Sequence, residues 1–289
     1  MSPGQRVAAL ARAALLEEVR ATPKPGLVDL RDSGAHRDMD ARTFFCSAQA
    51  VAPYFGQMFE LALSWEGELS PLFRKVRAVG VEAEVAMFRA TGGVNTHKGA
   101  VFTLGLLSAG AGQCLRRGEP LEPARILELS REMAAPSLAR ELREMAGRAP
   151  VTHGERLYAA TGHAGVRGEA IAGFPALRET ALPALALGGQ PDRERLLLHV
   201  LLRLMVTVED TTVLHRAGQE GLSWLHAQAA GFLKKWPVLT GGAMEELERF
   251  NSRCIARNIS PGGCADLLSG ALFLEGLAGR SGCFPVRPL

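Results

Sequence analysis

The chain has 289 residues, 47% of them hydrophobic and 22% charged, and its 33 basic and 30 acidic side chains leave a formal charge of +3. That balance excludes recognition of nucleic acid or a membrane surface by bulk charge, and so apolar a composition excludes intrinsic disorder. With 43 Ala and 41 Leu against 18 Val and 4 Ile, helix is favoured over sheet, and the expectation is an all-α fold.

Hydrophobic periodicity predicts about ten helices in one domain spanning 1–289, with Gly-rich polar loops around one cleft. The first is amphipathic, with Val7, Leu10, Ala11, Ala14 and Leu15 on one face. Arg12, Glu17 and Glu18 argue against a targeting peptide there. Pro23 and Pro25 end this helix, which leaves 27–40 as a loop. A second helix runs from 41 to about 65 with a kink expected at Pro53, and a third from 71 to about 89. After a break at Gly92 and Gly93, an Asn95-Thr96 cap opens an apolar helix near His97. The uncharged run 99–115 in that helix is glycine-rich and falls short of a membrane span, so it reads as a buried helix. Further helices are expected at 122–135, 137–148, 152–161, 168–187 with an interruption at 173–175, 192–207, 222–236, 242–257 and 264–279. Thr152 and Glu155 have capping-box spacing. The cysteines Cys46, Cys114, Cys254, Cys264 and Cys283 are odd in number and include no CxxC pair, which fits a reducing cytoplasm better than a disulfide or zinc framework.

Polar residues gather in a few places. The loop TPKPGLVDLRDSGAHRDMD concentrates Lys24, Asp29, His36, Asp38 and Asp40, a set with oxygen and nitrogen ligands but a weak metal spacing. In ATGGVNTHKG, the Gly92-Gly93 step, Asn95, Thr96, His97 and Lys98 place donors at the positive end of a helix, where an anion is welcome. An ordinary helix break with a solvated His-Lys pair explains that stretch equally well. GHAGVRGE offers Arg167, whose planar fork can grip phosphate, and Glu169. VEDTTVLHR puts Glu209 and Asp210 at the end of an apolar helix, with His215 and Arg216 following, so that either a paired structural site or a working carboxylate pair is open. NISPGGCAD supplies Asn258, Ser260, Gly262, Gly263 and Asp266 in a second Gly-rich turn that enters a helix. His153, His199 and His226 read as packed or surface histidines.

Taken in order, TPKPGLVD, GAHRDMD, ATGGVNTHKGA, RGEA followed two residues later by GFP, VEDTTVLHR and NISPGGCADLL resemble the triphosphoribosyl-dephospho-CoA synthase family, over about 18–274. Cys264 departs from the small hydroxyl residue usual there. The resemblance implies an all-helical cytoplasmic enzyme that transfers the 5-triphosphoribosyl group of ATP to the 2′-hydroxyl of 3′-dephospho-CoA and releases adenine. The product would pass to a carrier-protein modification step, that of malonate decarboxylase before that of citrate lyase. A non-catalytic nucleotide sensor and an N-glycosidic hydrolase are the competing readings. On the family reading, Lys24, His97, Lys98 and Arg167 would contact phosphates, helped by the two Gly-Gly turns. Asp38, Asp40, Glu209 and Asp210 would share Mg²⁺ ligation and acid/base work, with His36 and His215 as further proton carriers. Mg²⁺ is expected with ATP, and no tightly bound organic cofactor is. Neither nucleic acid nor membrane is an expected partner, and a homodimer stays open.

Overall fold

The structure, a computed structural model, describes residues 1–145, 150 and 153–279. Its described residues form twelve α-helices and one π-helical turn, with no strand among them. They are α1 (Pro3–Arg20), α2 (Ala41–Leu63), α3 (Leu69–Ala90), α4 (Lys98–Arg116), α5 (Pro123–Met145) and α6 (His153–Thr161). There follow α7 (Val166–Ala172), the π turn Ala176–Ala181, α8 (Leu182–Leu187), α9 (Arg193–Thr207), α10 (Thr211–Lys235), α11 (Gly241–Ala256) and α12 (Gly262–Leu277).

Local signals set several of these starts. Ser2 and Gln5 close a capping box on α1, with Pro3 in its first turn, and Asp40 with Thr43 does the same on α2. Asp192 caps α9 through the Arg195 amide at 2.8 Å. Two helices, α4 and α12, are apolar almost all round and bury most of their length, so they form the axis of the core. α2 packs on α1, α3 and α4, while α12 packs on α1, α4 and α9.

Tertiary packing overrides some local expectations. Pro136 lies inside a continuous α5 instead of separating two helices, because Met133, Ala134, Ser137 and Leu138 on either side are all buried. Pro53 is likewise accommodated within α2. α10 starts eleven residues before the expected 222, since Asp210 caps it and the break falls at Gly218 (φ 66°, ψ −170°), where two helical segments meet. Glu209 and Asp210 therefore occupy the turn between α9 and α10, not the end of a helix. Thr152, the capping residue expected to pair with Glu155, and Cys283 lie outside the described residues. No described helix is long and apolar enough to cross a membrane.

Candidate active site

The 21–40 loop is pinned before it is used. Asp29, buried, accepts from the amides of Lys24 (2.8 Å), Arg31 (2.7 Å) and Asp32 (3.1 Å), while Asn251 holds the Gly26 amide at 2.8 Å and donates to Asp32 at 2.9 Å. Gly26 has φ +74°, and a Cβ there would sit 2.1 Å from the Ile259 carbonyl oxygen, so only glycine lets this loop lie against the 258–261 turn. From the other side Arg216 donates to the Asn258 carbonyl at 3.1 Å, to its side chain at 2.6 Å and to the Ala35 carbonyl. Asp29, Arg216 and Asn258 are thus scaffold in this structure, outside the cavity they help to shape.

A cavity of about 630 Å³ lies where this loop meets the starts of α4, α7, α10 and α12. Of the residues picked out from sequence, Lys24, His36, Asn95, Thr96, His97 and Lys98 line it, together with Glu169, Glu209, Asp210, Ser260, Gly262, Gly263 and Asp266. Asp38, Asp40, Gly92, Gly93, Arg167 and His215 do not. Asp40 is exposed and spends its Oδ1 on the Thr43 amide as the α2 cap, while Asp38 is exposed and lies 3.8 Å from His36 Nδ1. Gly92 and Gly93 form an exposed turn, His215 is exposed on α10, and Arg167 lines a neighbouring groove.

The floor of the cavity is dry. Lys24, only 1% exposed, pairs its ammonium with the buried Glu18 of α1. Burial pushes the Glu18 carboxyl up, against the pull of Lys24. Asp266 rests against the start of α4 so closely that a Cβ on Gly99 would lie 2.0 Å from its Oδ2, and the Ala100 amide donates to it. Burial, with Glu18 and Asp210 nearby, raises the Asp266 carboxyl well above its ordinary range despite that amide. The Asn95-Thr96 cap expected for α4 does not form. Thr96 donates instead to Ser47 Oγ at 2.7 Å, and a carboxylate from α12 takes the helix start.

His97 is 2% exposed, its Nδ1 is 2.7 Å from the same Ser47 Oγ, and Phe44 meets its ring edge-on at 4.9 Å. Burial, then the Lys24 charge, lowers its pKa to about 3, so the imidazole is neutral at physiological pH. Its Nε2 is buried without a hydrogen-bond partner. Asp210, 1% exposed, joins two helix starts: Oδ1 accepts from Thr212 (2.9 Å) and Val213 (3.2 Å) on α10, and Oδ2 from Cys264 (2.9 Å) on α12. Burial raises its pKa while these amides oppose the rise. The Gly262-Gly263 turn is therefore already partly filled by a carboxylate from the same chain.

The rim is wetter. Lys98 reaches back to Glu84 at 2.9 Å, and Glu209, about half exposed, has His163 Nε2 at 3.7 Å. His36 Nε2 lies 2.8 Å from Ser260 Oγ, and its pKa is lowered by burial and by Arg216. Glu169 accepts from the Ala176 amide at 3.1 Å, and burial raises its carboxyl.

Five carboxylates and two lysines line the cavity, with no arginine among the described residues. A lining this poor in cations leaves much of a polyphosphate's charge to be met by an accompanying cation. The donor set suits Mg²⁺ arriving on phosphate oxygens and completed by one carboxylate, which is how this ion is commonly held. Among the described residues no three His, Cys, Asp or Glu side chains gather to hold a metal by themselves.

Sequence reasoning passed over Glu18, Ser47, Phe44 and His163. Glu18 carried a signal, since it follows Ala14 and Leu15 by four and three residues on the apolar face of α1, where an unpaired carboxylate would be costly. Ser47 carried none, because its role depends on α2 meeting the turn before α4.

The sequence matches the family of ATP:dephospho-CoA triphosphoribosyl transferases over residues 4–283. It is 41% identical over 272 residues to the 2-(5″-triphosphoribosyl)-3′-dephosphocoenzyme-A synthase of Escherichia fergusonii, which covers 93% of this chain and 90% of that one. Against the Klebsiella pneumoniae protein of the same name it is 40% identical over 279 residues, covering 95% and 91%. A crystal structure from Archaeoglobus fulgidus, described under the triphosphoribosyl-dephospho-CoA synthase name, superposes with a TM-score of 0.54 at 18% identity. That match covers 81% of this chain and 99% of the other, and shows a shared fold.

Proposed function

Since the chain belongs to the ATP:dephospho-CoA triphosphoribosyl transferase family, we propose how its cleft divides the work of that transfer. The protein is a transferase that moves the 5-triphosphoribosyl group of ATP onto the 2′-hydroxyl of 3′-dephospho-CoA and releases adenine. A bond forms between the acceptor 2′-oxygen and ribose C1′ while the bond from C1′ to the adenine nitrogen breaks. The hydroxyl gives up a proton, adenine takes one, and C1′ carries oxocarbenium character between the two events.

The observation that carries the assignment is the meeting in one cavity of Asp266, set against the start of α4, and the half-exposed Glu209 of the turn between α9 and α10. Asp266, set against the start of α4 with its carboxyl raised well above its ordinary range by burial and by nearby Glu18 and Asp210, is suited to protonate the departing adenine. Glu209, accessible at the rim with His163 beside it, is suited to receive the proton of the 2′-hydroxyl. His97 serves as a neutral hydrogen-bonding partner for substrate through its free Nε2. Lys98 would face the polyphosphate, and one carboxylate of the cavity would complete an Mg²⁺ that the phosphates bring. Mg²⁺ would supply charge neutralisation there. The reading places the reaction in the cytoplasm and hands the product to a carrier-protein modification step.

Mass analysis of a reaction containing ATP, dephospho-CoA and Mg²⁺ tests it. The expected products are adenine and a triphosphoribosylated dephospho-CoA. Adenine appearing equally without dephospho-CoA would make the protein a hydrolase, and binding without adenine would make it a sensor.

A further inference from the structure

Beside the main cavity lies a second hollow of about 250 Å³ between α3, α4 and α7, which shares Lys98, Gly99 and Val166 with it. Its floor is apolar, built from Met58, Phe73, Val76 and Phe102. On its outer lip Val81 is 57% exposed, and Val85, one helical turn on along α3, is 46% exposed, so an uncovered apolar strip continues outward from it. Arg167 lines this second hollow next to Val166, which lines both, and no carboxylate among the described residues is paired with it; its guanidinium lies 3.9 Å from Met145 Sδ.

We propose that this groove holds the pantetheine arm of the acceptor, with Arg167 on the diphosphate that links the arm to its nucleoside. The inference rests on the transfer described above. That transfer brings two nucleotides to the main cavity, so the arm must leave it, and the groove is the neighbouring hollow that shares Lys98, Gly99 and Val166 with it. The arm's geminal methyls and methylenes match the apolar floor, while the charge needed at the junction is supplied where the diphosphate would pass.

Calorimetric binding to the full-length protein tests the proposal, with dephospho-CoA and with ADP, which carries the diphosphate but no arm. Val81→Asp charges an exposed lip position, and Gly80→Leu fills the groove from a helical site where a Cβ meets only Met58 Cε, at 3.7 Å. Each is expected to weaken dephospho-CoA ~10-fold and leave ADP unchanged, the scale of a filled apolar subsite. Unchanged dephospho-CoA binding, or equal weakening of both ligands, overturns the assignment. So does a shift in sedimentation with intact dephospho-CoA affinity, since the face would then be a subunit contact. Wild type that shows arm-dependent affinity yet releases no adenine contradicts the transfer and leaves the groove standing.

Discussion

The floor and the rim of the cavity carry the same residue types in different surroundings. Glu18, Lys24 and His97 are enclosed, Asp266 is half-buried against the start of α4, and each is fixed by named partners and displaced from its ordinary pKa or paired with an opposite charge. Lys98, Glu209 and His163 are solvated and loosely paired. The difference comes from the elements beneath them: the floor side chains stand on or beside α1, α4 and α12, whereas the rim stands on the first residue of α4 and on the turns before α7 and α10. Burial is what turns a carboxyl into an acid at neutral pH, so sites with similar composition acquire different chemistry.

Removing the floor acid should break that contrast most severely. Asp266→Asn is expected to lower kcat ~10³-fold with little change in the KM for ATP. Because its carboxyl is raised in the folded protein, the wild type should lose activity as pH rises through that raised value, and the variant should lack this alkaline limb. The sign for stability is the same: the contribution of Asp266 is complete at low pH and fades as the pH rises through its folded pKa. A pH–rate profile and pH-dependent denaturation check both, and an alkaline limb retained in the variant would reassign the acid.

Next in size is the buried pair. Lys24→Met leaves Glu18 enclosed without its cation and should cost about 3 kcal/mol in urea denaturation. Adding Glu18→Gln should recover most of that loss. If the double variant is no more stable than the single one, Lys24 acts through something other than Glu18.

At the rim, Glu209→Gln should reduce kcat about 100-fold while leaving the melting temperature close to wild type. An equal loss of stability would move Glu209 from chemistry to scaffold. Smallest of all, Asp40→Ala should cost about 1 kcal/mol through the lost α2 cap and leave kcat unchanged. A drop in kcat would return Asp40 to the working set.

The acid side offers a further handle on the floor. His97 is neutral when folded, with a pKa near 3 against 6.5 ordinarily, so its contribution to stability is present above 6.5 and is lost as pH falls toward 3. His97→Gln should flatten that part of the stability curve. An unchanged acid transition would show that the ring does not stay buried.

Much of the fold was legible because helix formation is local. Periodicity places α1, α2, α3 and α9 to within a few residues, since apolar spacing and caps such as Asp40 and Asp192 lie within one turn of what they control. Pro136 and the early start of α10 were not legible, because each depends on packing that a single stretch does not contain. At the site, the Gly-flanked motifs announced Lys24, His97, Lys98, Glu209, Asp210 and Asp266, all of which reach one cavity. Asp40 and Asp29 look the same in sequence and turn out to hold a helix start and a loop.

Sequence by itself determined the helical class, the positions of the polar turns and, through their order, the family. Only the tertiary structure decided which carboxylates face the cavity and which serve as caps, and which groups are dry. Composition cannot report that, since a pKa depends on solvent exclusion and on charges brought close by distant segments. Glu18 and Asp266 are far apart in the chain, and the Glu18 charge reaches Asp266 only because α1 packs on α12.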